Sequence, residues 1–133
     1  MKKVLGNVGV GFAVVLTVAF VFFGIRGIYD PTAASMRFGL PADDPAAMFY
    51  YRVYLARNLV IVGAGLILLL LKQWKSVATL LTAALFLPTF DAILLYRERG
   101  AEAGLTIHIV TGVIVAIAAF LMWMKVSSSR AEP

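Results

Sequence analysis

Four long apolar runs, separated by short clusters of charge, proline and glycine, make up most of this chain. Each holds about 18 residues or more, enough for a helix to cross the ~30 Å hydrocarbon core of a bilayer. The pattern predicts an all-α fold. It is a four-helix polytopic membrane bundle in a single integral membrane domain over residues 1–133, with helices at about 5–27, 51–71, 75–98 and 103–125. The first run follows Met1-Lys2-Lys3 in the manner of a signal peptide. It is too long for a signal core and leads into further spans, which disfavours a cut after Ala33-Ala34-Ser35. Within it Gly9, Ala13, Thr17, Phe20, Gly24 and Gly27 recur at helical steps, a small-residue stripe that lets a neighbouring helix come close.

The longest polar connection runs from Gly27 to Tyr50, and Asp30-Pro31, Gly39-Leu-Pro41 and Asp43-Asp44-Pro45 break helix within it. Thr32 to Phe38 has room for a short helical turn or more, with Met36 and Phe38 dipping into the interface. Asp44 is placed to cap a helix that opens with Pro45. Tyr50, Tyr51 and Tyr54 then form an interfacial aromatic group. Lys72-Gln-Trp-Lys75 predicts a tight turn with a tryptophan anchor. Pro88 predicts a kink in the third span and a freed carbonyl about one turn earlier. Asp91 follows on roughly the same face.

Composition settles the class. Apolar residues are 62% of the chain and charged residues 14%, against ~45–50% and ~25% in soluble domains. The net charge of +5 sits at helix ends, where it orients the protein and meets lipid headgroups. Membrane lipid is therefore an expected partner and nucleic acid is not, since no basic stripe with interleaved aromatics exists. The absence of cysteine excludes disulfides and thiolate chemistry. One histidine and one intramembrane carboxylate are too few for a metal site, and no glycine-rich phosphate loop is present, so no cofactor is implied. The small-residue faces admit a homo-oligomer.

Four spans place both termini on one side, with Lys2, Lys3, Lys72, Lys75, Lys125 and Arg130, opposite Arg26, Arg37, Arg52, Arg97 and Arg99. That excess favours both termini in the cytoplasm, in the inner membrane of a bacterial cell.

The candidate chemistry lies in one layer. Arg57, Asp91 and His108, each on a different helix, fall ~8–9 Å below the surface that bears the long connection, at ~1.5 Å rise per residue. Asn58, Thr89 and Thr111 lie nearby, and Arg26 and Tyr29 just above. A charge at the centre of a membrane helix costs ~2.5–3.5 kcal/mol on insertion scales, so Arg57 needs a partner or water. One reading makes Arg57 and Asp91 a buried ion pair that sets helix register, with His108 bonded to a backbone carbonyl. The other is a polar cavity for a small apolar ligand such as a lipid or isoprenoid. In it Arg57, Asn58, Arg26 and Tyr29 bind the ligand's polar end, and Asp91 and His108 are the catalytic pair that exchanges protons. Two further functions compete: a non-catalytic subunit that packs on partner helices, and a small transporter. The uniformly apolar stretches Ile61 to Leu71 and Val113 to Met124 argue against a transport path.

Arg26-Gly-Ile-Tyr-Asp-Pro31, Phe38-Gly-Leu-Pro41, Arg57-Asn58, Pro88-Thr-Phe-Asp91 and His108, read together, resemble a family of small bacterial and fungal integral membrane proteins known as a domain of unknown function. The resemblance spans about Gly24 to Trp123. It implies a four-helix membrane protein with these polar positions as its signature and carries no established activity. Where this chain has Asn58 the family often has aspartate. At the level of fold the chain is also distantly similar to DoxX-like proteins and sterol-isomerase relatives.

Overall fold

The computed structural model describes residues 2–100 and 104–129. Glu102, Arg130 and the expected start of the last helix at 103 lie outside them. The described residues form helices and no strand: α1 (Lys2–Tyr29), α2 (Pro31–Phe38), α3 (Pro45–Leu70), α4 (Trp74–Ala84), α5 (Phe86–Arg99) and α6 (Thr106–Ser129). Taking α4 and α5 together, four helices are long and apolar enough to cross a membrane. Their most apolar stretches are only 17% buried in the first three spans and 28% in the fourth, so most of that surface faces outward, as lipid permits and water does not.

The segment between the first two spans is not the long loop that its proline and glycine content predicts. Asp30 ends α1 and at once caps α2, its side chain accepting from the Ala33 N–H at 3.0 Å. Pro31 then opens the helix, where its missing N–H costs nothing. Gly39, at φ 103°, closes α2 in the left-handed region and returns its N–H to the Ser35 and Met36 carbonyls. The fully buried Ser35 hydroxyl accepts from the Ala42 N–H at 2.9 Å, folding residues 39–44 back over α2. Asp44 caps α3 as expected, its carboxylate accepting from the Ala46 and Ala47 N–H groups at 2.8 and 3.0 Å. The second span therefore begins at Pro45, one and a half turns earlier than the apolar run alone indicates.

The third span is interrupted at Leu85, between α4 and α5. Pro88 has no N–H for the Ala84 carbonyl, and the Thr89 hydroxyl donates to the Leu85 carbonyl at 2.8 Å. At the other end of the bundle Lys125 donates to Asn7 Oδ1 at 2.9 Å, and its ammonium lies 5.6 Å from the centre of the Trp74 ring. The N-terminal end of α1, the α3–α4 turn and the C-terminal end of α6 thus share one side.

α1 packs on α6 along one face and on α3 along another. Its small residues allow both contacts. A Cβ added at Gly9 would stand 2.8 Å from the Leu121 backbone, and one at Gly6 2.8 Å from Lys125 Cα. Ala13 is buried in the same seam, in a cluster with Leu69, Val77, Ala78 and Met122. Farther along, Gly24 and Gly27 meet Leu59 and Leu55 of α3. Helix association in lipid relies on such close packing. Gly9→Leu is expected to lower the melting temperature in mild detergent, by ~1–3 kcal/mol of overpacking. Gly11→Ala, which meets nothing within 4 Å, is expected to leave it unchanged or raise it. Equal effects of the two would show that α1 does not seat on α6 through Gly9.

Candidate functional site

α4 packs on α3 and α6, whereas α5 packs on α6 and shares no extended face with α3. The space so opened is a cavity of about 660 Å³, within the usual range of ligand pockets. α1, α3 and α6 supply long walls, with Leu16, Phe20, Leu59, Val62 and Ile114 among the apolar lining. α2 forms the roof at the end nearest Arg26, Asp30 and Arg37.

The polar groups on its wall come from different helices. Tyr54 and Asn58 are one turn apart on α3 and so share a face. Asp91 lies one turn beyond Pro88 on α5, and His108 is in the first turn of α6. The Tyr54 hydroxyl donates to Asp91 Oδ2 at 3.2 Å. His108 Nδ1 stands 3.8 Å from the same oxygen, with the imidazole 7% exposed and the carboxylate 20%. On its far side His108 Nε2 lies 2.8 Å from the Phe38 carbonyl oxygen. A carbonyl only accepts, so Nε2 carries the proton and donates it. Nδ1 then turns its lone pair toward Asp91 when the ring is neutral. The Phe38 ring holds this geometry, meeting His108, Tyr54 and Tyr51 edge-on at 4.8, 5.5 and 6.0 Å between centroids.

A carboxylate and an imidazole in one apolar, semi-enclosed space are equipped to take and give a proton. The described residues contain no group of three or more His, Asp or Glu that could hold a metal ion.

Of the residues singled out from the sequence, Asp91, His108, Asn58, Arg26 and Thr111 line the cavity. Arg57 and Tyr29 do not: Arg57 is exposed on the outer side of α3, and Tyr29 is 85% exposed at the end of α1. Arg57 lies two residues beyond the inward-facing Leu55 and hence ~200° around the helix, on the opposite face. Tyr54 and Phe38, expected at the interface, also line the cavity. The signal for Tyr54 was its one-turn spacing from Asn58. Phe38 had none, since its place depends on how α2 folds back.

Comparison with curated proteins and with solved structures finds no match. A family model does match, over residues 17–122, a stretch that includes all the cavity-lining residues except Leu16. By that match the chain belongs to the family described as a domain of unknown function, DUF4267.

Proposed function

We propose that this protein is an integral membrane protein that binds a small, largely apolar molecule with one polar end, and that Asp91 and His108 exchange protons with it. Both termini face the cytoplasm in this reading, which the lysines at that end of the bundle support. The observation that carries the proposal is the meeting of Tyr54, Asp91 and His108 on the wall of an otherwise apolar cavity of about 660 Å³. Ionisable groups inside a membrane protein are costly and tend to mark functional sites. The apolar lining suits a lipid or isoprenoid body, while Asn58 and Arg26 extend the polar wall toward the roof.

Two measurements test this. Protein extracted in mild detergent and released in the gas phase for mass spectrometry is expected to carry a copurified amphiphile. Ala84→Phe, which projects a ring into the cavity, is expected to remove that mass while keeping the helical circular-dichroism spectrum of the wild type. Retention of the same amphiphile by Ala84→Phe would place it outside the cavity and end the proposal.

The competing reading, a packing subunit bolted by an Arg57–Asp91 pair, makes a different prediction. Because Arg57 faces outward while Asp91 bonds Tyr54, a double-mutant cycle of Arg57→Gln and Asp91→Asn is expected to show additivity within ~0.5 kcal/mol. A coupling of ~3 kcal/mol or more in thermal unfolding would restore the bolt.

A further inference from the structure

We infer that the polar end of the ligand is a neutral hydroxyl group, seated between His108 Nδ1 and the Asp91 carboxyl; this rests on the ligand-binding reading of the cavity and specifies the ligand's chemistry. The Phe38 carbonyl commits the Nε2 proton of His108 at 2.8 Å. Of the two imidazole nitrogens Nδ1 is then left to exchange a proton, with Asp91 opposite it. They stand 3.8 Å apart, too far for a direct hydrogen bond. In an apolar surrounding a net charge is costly, so the pair holds one proton between its two members.

With one proton, the pair presents one donor and one acceptor, whichever member carries it. If Asp91 carries the proton, the carboxyl donates and Nδ1 accepts. If Nδ1 carries it, the imidazolium donates and the carboxylate accepts, with Tyr54 donating to Oδ2 at 3.2 Å. A hydroxyl matches both states, because it accepts one hydrogen bond and donates one. An ether or a carbonyl only accepts and leaves one member of the pair without a partner. A carboxylate brings a charge that the pair does not neutralise.

The same arrangement moves a proton. The Asp91 O–H proton passes to the ligand oxygen while the ligand's own proton passes to Nδ1. The products are a carboxylate, an imidazolium and an unchanged hydroxyl, with no electron gained or lost. The hydroxyl is thus the link across a gap that the two side chains do not close by themselves. Phe38 is a positioning residue here: its backbone oxygen sets which imidazole nitrogen faces the cavity.

His108 is the sole histidine of the chain, so its ring signals are unambiguous once the protein carries a histidine-free purification tag. The experiment uses full-length protein labelled with ¹⁵N-histidine in detergent micelles at neutral pH. The free protein is expected to show a protonated Nε2. The opposite tautomer, with the proton on Nδ1 and a bare Nε2, would overturn the assignment of donor and acceptor. Titration with 1-decanol is expected to shift the Nδ1 resonance, and decyl methyl ether to bind about tenfold more weakly, as when one buried polar group is left unpaired. Binding of each is followed separately by displacement of an apolar fluorescent probe. If alcohol and ether displace the probe equally and Nδ1 does not move, the hydroxyl inference fails while the cavity reading stands. If decanoate binds more tightly than the alcohol, the polar end is an anion, and the inference fails in favour of the Arg26 and Arg37 end of the cavity. If neither alcohol nor ether displaces the probe, both the inference and the reading beneath it are lost.

Discussion

Pro88 has no backbone N–H to give, and the third span is organised around that deficit. The Ala84 carbonyl loses its helical partner, the helix is interrupted at Leu85, and Thr89 supplies a hydroxyl to the Leu85 carbonyl. Below the interruption α4 packs on both α3 and α6. Above it α5 stays with α6 and leaves α3, and the space between them is the cavity. Asp91 sits one turn past the proline and so arrives on the wall of the space the proline opens. Gly112 of α6 lies against Pro88, where an added Cβ would meet the ring in ordinary contact at 3.7 Å.

The roof is built from short-range hydrogen bonds rather than from a large apolar face. α2 is only eight residues long, so it is marginal as an isolated helix. It is held by the Asp30 cap, the left-handed Gly39, and the Ser35 hydroxyl that takes the Ala42 N–H. Its last residue does two things at once. The Phe38 ring fills the gap between Tyr51, Tyr54 and His108, and its carbonyl accepts a hydrogen bond from His108 Nε2. A connection that hydropathy reads as a linker is therefore part of the site.

Two ionisable side chains of the spans, Asp91 and Arg57, are placed in opposite ways. Asp91 has a short stem, is turned inward, and is served by the Tyr54 hydroxyl and the His108 ring. Arg57 has a long stem on the outward face of α3. Side chains on a helix lean toward its N-terminus, here the end that carries Tyr50 and the headgroup-level connection. Arg57 can thus extend its guanidinium toward the polar surface while its methylenes lie in lipid. The same cost of burying charge is met inside by hydrogen bonds and outside by reach.

The division between sequence and tertiary structure follows from these cases. Span number and class were legible because hydropathy is a property of a chain read in one dimension. The caps at Asp44 and the break at Pro88 were legible because they are local chemistry, settled within four or five residues. The close approach of α1 to its neighbours through Gly9 and Gly24 was legible because small residues at helical steps leave one face without side-chain bulk. What the sequence left open was azimuth. Whether Arg57 or Tyr54 turns to Asp91 depends on a rotation of α3 that hydropathy does not register, since that helix is apolar nearly all round. The fold-back of α2, which brings the Phe38 carbonyl to His108 across 70 residues of chain, was decided by hydrogen bonds and packing that hydropathy does not register. Sequence thus determined that a carboxylate and an imidazole lie in the long apolar spans; only the tertiary structure determined which groups face them, because contact between helices is set by rotation and not by rise.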